Sequence, residues 1–274
     1  NIRRLADLAA KFPQMRLAVL ADDISAVAAL SAAVTKVGRE VDVLVDLDNG
    51  MHRSGIAPDE RADAVYRAIH EAPGLQAIGL HIYDGQIREH DPAARTTAAD
   101  AAFQPVAAMI ERLRRAGLPE PRIVAGGSPT FPMHAHYLER EVSPGTCVFW
   151  DASYQTKFPD LGFANAALVL TRVISHPEPD VICLDLGYKA VSPDNPDPRA
   201  ELLGIPDAKM IVHSEEHLAV RTSQGANLRV GDAVYAIPFH ICPTCALYRE
   251  AIVVENGVAR DRWPIVARDR MLTI

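Results

Sequence analysis

The segment that decides the fold is "VDVLVDLD", residues 41–48, a short apolar run that ends in aspartate. Four further runs have the same form and end in or near Asp, Gly or Ser: "LAVLADD" (17–23), "LQAIGLHIYDG" (75–85), "PRIVAGGSP" (121–129) and "GTCVFWD" (145–151). Short runs that are apolar on both faces are typical of strands in a parallel sheet covered by helices. These segments therefore predict five parallel strands.

The stretches between these runs have a helical period. Asp23 is placed to cap a helix with an apolar face from Ile24 to Val37, and a second apolar face, from Phe103 to Leu113, stops at Gly117. Repeated strand and helix units with polar residues at the strand ends are what a (β/α)8 barrel or a doubly wound sheet requires, because both bind ligands there. The first half is thus predicted to be α/β.

After about residue 166 the pattern changes to β-branched segments separated by turn-rich links such as "SPDNPDPRAE" (192–201). The segments are "ALVLTRVISH" (167–176), "DVICLDLG" (180–187), "KMIVHS" (209–214), "HLAVRT" (217–222), "DAVYAIPFHIC" (232–242) and "REAIVV" (249–254). Closely spaced short strands indicate a small β-domain. We predict an α/β domain at residues 1–160 and a β-domain at residues 161–274.

Composition excludes several classes of protein. The chain has 274 residues, of which 49% are hydrophobic, and its net charge is −7 with scattered arginines, which argues against a nucleic-acid partner. No apolar run approaches the roughly 20 residues that span a bilayer, and the N-terminal segment lacks the features of a signal peptide. We therefore expect a soluble, cytoplasmic protein. Four cysteines are too few for a disulfide framework, and Cys147 and Cys183 are expected to be buried thiols.

The segment "FHICPTC", residues 239–245, brings a histidine and two cysteines together. On a strand, His240 and Cys242 would project from the same face and could share a metal ion. Cys242 and Cys245 form a C-x-x-C pair, but no second pair completes a closed zinc site, and the β-rich surroundings argue against a thioredoxin-like redox pair. The spacing favours a half-buried histidine beside a buried thiol and leaves open a two-ligand metal site with free positions.

Six segments carry a family resemblance through the order in which they occur. They are "DVLVDLDNGMHRSGI" (42–56), "GLHIYDGQ" (79–86), "AGGSPTFP" (125–132), "VSPGTCVFWDASY" (142–154), "LDLGYKAVSPD" (184–194) and "IPFHICPTCALY" (237–248). This order resembles the D-threonine aldolase and D-serine dehydratase family of pyridoxal-phosphate enzymes, which are alanine-racemase-like. The resemblance runs from about residue 3 to the C-terminus. It implies a (β/α)8 barrel, here strands four to eight, followed by a β-domain.

The resemblance implies cofactor-binding roles for residues in three of these motifs. Arg53 matches an arginine near the phenolic oxygen of pyridoxal 5'-phosphate, and Tyr83 matches a tyrosine that lines the cofactor pocket, with His81 a weaker candidate on the same face. The loop after the fourth predicted strand would bind the cofactor phosphate through Gly126, Gly127, Ser128 and Thr130. Small residues allow the backbone to approach an anion closely, which suits this role.

The resemblance also implies a metal site and a reaction. His240 and Cys242 match the metal-binding histidine and cysteine of the family, for which zinc is the expected metal and manganese the alternative, while Cys245 has no assigned role. The implied activity is that of a lyase acting on a small D-3-hydroxy amino acid, with D-threonine aldolase favoured over a D-serine or 3-hydroxyaspartate dehydratase. The family suggests a monomer or homodimer.

One family feature has no counterpart in this sequence. The family holds its cofactor as a Schiff base on a lysine after the first barrel strand, in a segment that nothing here matches. Lys11 and Lys36 fall in predicted helices, Lys157 follows the last predicted barrel strand, and Lys189 and Lys209 lie in the β-domain. The sequence therefore leaves the catalytic lysine unassigned. We expect either a fragment with an incomplete barrel, which we favour, or a relative that has lost catalysis.

Overall fold

The predicted parallel sheet is present in the computed structural model, which describes residues 1–269. These residues divide into two units, Asn1–Gly145 and a second that begins at Thr146. In the first unit the five strands are adjacent in chain order and all neighbouring pairs are parallel. They are β1 (Ala18–Ala21), β2 (Val41–Leu47), β3 (Leu75–Ile82), β4 (Arg122–Ala125) and β5 (Arg140–Val142).

Helices precede and connect these strands, and all of them except the short helix Phe131–His134 share one apolar core with the sheet. They are α1 (Ile2–Lys11), α2 (Ile24–Lys36), α3 (Glu60–Glu71), α4 (Pro92–Arg115) and α5 (Phe131–His134). Asp23 caps α2 by accepting the backbone N–H of Ala26 at 2.9 Å, as the sequence predicted. Val43, Val45 and Leu80 belong to the core shared with the helices. Since side chains alternate along a strand, the other face of the sheet is left to residues such as Asp46 and His81.

The prediction that "GTCVFWD" forms the fifth strand is wrong. The fifth strand of the sheet is β5, at Arg140–Val142. Thr146–Val148 instead form a single 3-10 turn. Trp150 has a φ of 54°, a left-handed conformation that an extended strand does not accommodate. Its ring is buried against Tyr154 and Phe163, with ring centroids 5.3 and 5.1 Å away. The apolar character of the segment therefore reflects local packing of Trp150.

The second unit is a β-domain, as predicted. Its six-stranded sheet has the order β8-β11-β6-β7-β10-β9 with antiparallel neighbours, and a separate hairpin pairs β12 with β13. The strands are β6 (Val169–Glu178), β7 (Val181–Leu184), β8 (Ala200–Leu202), β9 (Lys209–His213), β10 (Leu218–Arg221), β11 (Ala233–Pro238), β12 (Glu250–Glu255) and β13 (Val258–Pro264). The helices are α6 (Ala152–Lys157) and α7 (Ile241–Cys245). The α/β architecture followed by an antiparallel domain confirms the predicted fold class.

The expectation that His240 and Cys242 lie at the end of a strand is wrong. Strand β11 ends at Pro238, His240 is the N-cap residue of α7, and Cys242 lies in the first turn of that helix. Pro243 is tolerated there because the first turn of a helix leaves backbone N–H groups unbonded. The segment is thus a strand-to-helix turn. Among the helices within residues 1–269, none combines the length and apolar content of a membrane span.

Candidate functional site

Arg53 and Tyr83 are brought together at the carboxyl ends of neighbouring strands β2 and β3. The Arg53 guanidinium carbon lies 4.5 Å from the centre of the Tyr83 ring, a cation–π distance. The ring is confined by two glycines: a methyl group at Gly85 would lie 2.4 Å from Tyr83 Cε1, and one at Gly127 would lie 2.9 Å from Cε2. Two other predicted cofactor residues, Arg53 and Gly127, therefore lie against the Tyr83 ring.

His81 lies two residues before Tyr83 and is paired with a carboxylate. Its Nδ1 is 2.8 Å from Asp46 Oδ1, and the Ser54 hydroxyl donates to Asp46 Oδ2 at 2.9 Å. The backbone register of β2 and β3 places Asp46 directly opposite His81, so the pair follows from the sheet itself. Because a carboxylate only accepts, Nδ1 carries the hydrogen and Nε2 is the remaining ring nitrogen.

In the predicted phosphate loop, several hydrogen-bond donors are directed to acceptors within the protein. Residues 126–130 are buried, and the Gly126 N–H donates to the Ile82 carbonyl at 3.1 Å. The Gly127 N–H donates to Asp84 Oδ1 at 3.0 Å, and the Thr130 hydroxyl donates to the same oxygen at 2.5 Å. The donors of Gly126, Gly127 and Thr130 are thus engaged by protein acceptors, and the cofactor-binding roles expected for these three residues stay predictions. The cofactor-binding role expected for Ser128 stays a prediction in the same way.

Asp84 is the centre of a buried cluster that the sequence did not predict. Its Oδ2 lies 2.8 Å from His134 Nε2, and neither side chain is more than 1% exposed. Burial alone would raise the pKa of the Asp84 carboxyl, but the hydrogen bonds from His134, Thr130 and the Gly127 N–H outweigh it and hold that pKa below its usual value. Asp84 is therefore ionised at neutral pH.

This depressed pKa predicts how stability depends on pH. A carboxyl whose pKa is lower in the folded than in the unfolded state stabilises the fold above its unfolded value, near 3.9, and loses that contribution as the pH falls through the folded value. We expect Asp84→Asn to flatten the dependence of the free energy of unfolding on pH below about 4. Denaturant unfolding at pH 3 to 6 measures this. Parallel profiles for the two proteins would show that Asp84 is not the titrating group.

Two buried oxygens in the adjoining loops fit a site that a ligand completes. Within residues 1–269, Asn49 Oδ1 and Gln86 Oε1 are buried without a hydrogen-bond partner, and the Gln86 amide donates to the Asn49 carbonyl at 3.3 Å. Buried acceptors without partners are costly unless a donor reaches them. Together with the guanidinium donors of Arg53 and the aromatic ring of Tyr83, these acceptors suit a polar aromatic ligand such as pyridoxal phosphate.

In the second unit, His240 is oriented by an acidic side chain. His240 Nδ1 lies 2.5 Å from Asp194 Oδ2, and the Ser192 hydroxyl donates to Asp194 Oδ1 at 2.5 Å. A histidine that donates from one ring nitrogen to a carboxylate presents the other nitrogen as a ligand, which is the usual arrangement around protein-bound metals. Asp194 thus engages His240 Nδ1 and leaves Nε2 as the nitrogen that a metal would bind in place of a proton.

Cys242 completes a nitrogen and sulfur pair with His240. Their hydrogen bond, with a further contribution from Asp194, raises the pKa of His240 to about 9, and the same bond lowers the pKa of the Cys242 thiol. The Cys242 sulfur also lies 3.4 Å from the Thr146 hydroxyl. The thiolate is the form of cysteine that binds metals, so the lowered pKa suits a ligand. Burial raises the pKa of Cys245, which leaves it a thiol.

The backbone that carries this pair is held by two further side chains. The Thr244 hydroxyl donates to the His240 carbonyl at 2.7 Å and accepts the Ser192 N–H at 3.2 Å. Asp151 accepts the Ile241 N–H at 3.2 Å, and burial raises the pKa of this carboxyl. These bonds fix the turn between β11 and α7.

The donor set fits a metal that keeps open positions. Imidazole nitrogen and thiolate sulfur together favour zinc among the common divalent metals. No group of three or more His, Cys, Asp or Glu side chains within residues 1–269 is arranged to enclose a metal ion. A two-ligand site leaves positions for water and substrate, as catalytic metal sites require.

Comparison with known proteins identifies the family. Residues 4–153 match the model of the alanine racemase N-terminal domain, and residues 166–254 match that of a putative serine dehydratase domain. The chain belongs to the alanine-racemase-like D-threonine aldolase and D-serine dehydratase family. The 3-hydroxy-D-aspartate aldolase of Paracoccus denitrificans is 32% identical over 261 residues, which are 92% of this chain and 67% of that protein.

Two further relatives are D-threonine aldolases. The enzyme from Arthrobacter is 29% identical over 258 residues, covering 92% of this chain and 68% of that protein. The crystal structure of D-threonine aldolase from Filomicrobium marinum superposes with a TM-score of 0.89 at 28% identity, covering 97% of this chain and 73% of that chain. The chain thus spans about two thirds to three quarters of the length of these relatives. The family resemblance found in the sequence is confirmed.

Within this family fold, sequence reasoning missed Asp84, His134 and Asp194. Asp84 follows Tyr83 in "YDG", and Asp194 ends the motif "LDLGYKAVSPD", so both lay in segments already noted. His134 had no signal in its surroundings beyond its place four residues after Thr130.

Proposed function

We propose that this protein is a lyase that depends on pyridoxal phosphate and a divalent metal and acts on D-3-hydroxy amino acids. The favoured reaction is the retro-aldol cleavage of D-threonine or a related substrate to glycine and an aldehyde. Membership of the family supports this, as do relatives named D-threonine aldolase and 3-hydroxy-D-aspartate aldolase. The observation that carries the proposal is the His240 and Cys242 pair, oriented by Asp194, because a metal on two protein ligands can bind a substrate hydroxyl.

Arg53, Tyr83 and Ser128 would hold the cofactor. When bound, pyridoxal phosphate supplies an electron sink for a carbanion at the substrate Cα. The Arg53 guanidinium is always charged and offers several donors, so it would stabilise the phenolic oxygen of the cofactor in its ionised form. The Tyr83 ring, clamped by Gly85 and Gly127, offers a rigid surface against the cofactor. In the predicted domain layout these residues belong to residues 1–160.

His240 and Cys242, in the predicted β-domain at residues 161–274, would hold the metal, with zinc favoured over manganese by the nitrogen and sulfur donors. A divalent metal supplies Lewis-acid stabilisation of an alkoxide at the substrate β-position. Asp194 holds His240 Nδ1, so that Nε2 would bind the metal once the metal displaces its proton. The hydrogen bond from His240 lowers the pKa of Cys242 and so favours the thiolate.

A dehydratase is the second candidate, favoured by the match of residues 166–254 to the putative serine dehydratase model. The same residues would hold cofactor and metal, and loss of the Cα proton and the hydroxyl as water, followed by hydrolysis, would give a 2-oxo acid and ammonia. Incubation with D-threonine separates the two reactions, since an aldolase releases glycine and a dehydratase releases ammonia. A ratio of glycine to ammonia well above one supports the aldolase, and a ratio below one supports the dehydratase.

The cofactor role of Arg53 gives a testable prediction. We expect Arg53→Ala to weaken pyridoxal phosphate binding about 10- to 100-fold, because a charged hydrogen bond is lost. Arg53→Lys should restore only part of the affinity, since an ammonium lacks the planar fork of the guanidinium. Absorbance titration of the full-length protein with pyridoxal phosphate measures this. Arg61→Ala is the control, as Arg61 is an exposed partner of Asp59. Equal affinity in Arg53→Ala and wild type would remove Arg53 from the site.

A further inference from the structure

Three hydrogen-bond donors converge on the buried carboxylate of Asp84. They are the Gly127 N–H at 3.0 Å, the Thr130 hydroxyl at 2.5 Å and His134 Nε2 at 2.8 Å. A carboxylate can accept all three, whereas a neutral amide can accept on its oxygen alone and would turn its NH2 group towards a donor. The arrangement therefore requires a carboxylate at this position.

Arg140 determines that His134 acts as a donor to Asp84, because it contacts the other ring nitrogen of His134. An Arg140 nitrogen lies 3.1 Å from His134 Nδ1, and because arginine only donates, Nδ1 accepts and Nε2 carries the hydrogen. Arg140 is in turn held between two aromatic rings, with its guanidinium carbon 3.6 Å from the centres of both Phe103 and Tyr137. A chain of contacts thus runs from Phe103 in α4 through Arg140 and His134 to Asp84.

Asp84 accepts hydrogen bonds from the loop on both sides of Ser128 and Pro129. Gly127 precedes these two residues and Thr130 follows them, and both donate to the same carboxylate oxygen. The next residue towards the N-terminus from Asp84 is Tyr83, whose ring abuts Gly127. One carboxylate therefore sets the conformation of the loop and its distance from the Tyr83 ring.

We propose that Asp84 is a positioning residue of the cofactor site. Its carboxylate turns Gly127 and Thr130 inward and so holds Ser128 where it meets the cofactor phosphate, with His134 and Arg140 keeping the carboxylate oriented. This rests on the proposed function, because it assumes that the loop binds the phosphate of pyridoxal phosphate. Asp84 itself touches neither cofactor nor substrate in this account.

The test compares two ligands that differ by the phosphate. Dissociation constants for pyridoxal phosphate and for pyridoxal are measured by absorbance titration on the full-length wild type and on Asp84→Asn. We expect Asp84→Asn to weaken pyridoxal phosphate binding about 10- to 100-fold and pyridoxal binding less than about 3-fold, because the loop is displaced. A merely structural role would weaken both ligands equally, by lowering the folded fraction.

A second pair of variants covers the case in which Asp84→Asn does not fold. His134→Gln keeps a side-chain N–H that can reach Asp84, whereas His134→Leu removes it at similar volume. We expect His134→Leu to lose part of the preference for pyridoxal phosphate over pyridoxal and His134→Gln to regain it. Circular dichroism and thermal unfolding of each variant establish the folded fraction.

The outcomes separate this proposal from the proposed function. If the wild type prefers pyridoxal phosphate and that preference persists in Asp84→Asn or in His134→Leu, the positioning role is overturned and the function stands. If the wild type binds neither ligand, the proposed function is overturned, and the positioning role with it. A loss of preference confined to Asp84→Asn and His134→Leu supports the proposal.

Discussion

Replacing His240 or Cys242 by Ala is expected to remove the bound metal and to abolish metal-dependent cleavage. Each substitution leaves a single protein ligand, and a metal held by one side chain is lost to buffer or chelator. The metal content should fall from about one equivalent per chain to near zero. The rate should fall about a thousandfold or more, because a Lewis-acid metal stabilises the charge that develops in the transition state by several kcal/mol. Elemental analysis and a cleavage assay measure both effects.

Cys245→Ala is the matched control for this experiment. Cys245 lies in the same helical turn as Cys242, but burial raises the pKa of its thiol, so it should neither bind the metal nor affect the rate. The absorbance of bound pyridoxal phosphate should be unchanged in all three variants. Full metal content in Cys242→Ala, or loss of metal in Cys245→Ala, would contradict the assignment of ligands.

The second large effect concerns the sheet. Gly79 in β3 pairs with Arg122 in β4, and a methyl group added to Gly79 would lie 2.2 Å from the Arg122 carbonyl oxygen. This oxygen belongs to the backbone of the neighbouring strand, so it cannot move aside without disrupting the parallel ladder. We expect Gly79→Ala to lower the free energy of unfolding by about 3 kcal/mol or more, as measured by denaturant titration.

Gly145→Ala is the control for the steric argument. A methyl group there would meet no atom within 4 Å, and Gly145 does not have a positive φ. Its stability should stay within about 0.5 kcal/mol of wild type. If Gly79→Ala is as stable as Gly145→Ala, the close approach of β3 and β4 at this position is not correct.

Most of the fold could be predicted because each of the strands β1 to β4 lies within a mainly apolar run. Only β2 is buried along its whole length, and the intervening helical periods indicated the parallel order. The fifth strand could not be predicted in this way. Arg140–Val142 has three residues and partly exposed side chains, whereas "GTCVFWD" is apolar because Trp150 packs into a local aromatic cluster. Composition alone does not separate these two causes.

The candidate site could be predicted where its residues follow neighbouring strands. Arg53 and Tyr83 each come after a strand of one parallel sheet, so the topology places them together. The partners of Asp84 and Asp194 could not be predicted, because Asp84 and His134 are 50 residues apart and Asp194 and His240 are 46 apart. Their pairing depends on three-dimensional packing, as does the hydrogen bond from Thr130 to Asp84.

The proposed activity is tested most directly by glycine release from D-threonine. The full-length protein is assayed with pyridoxal phosphate and a divalent metal, with each omitted in turn, and with L-threonine as the stereochemical control. We predict equimolar glycine and acetaldehyde from D-threonine alone, lost when a chelator removes the metal or when the cofactor is withdrawn. Absence of cleavage with both cofactors present, or cleavage that persists undiminished in a strong chelator, would contradict the proposal.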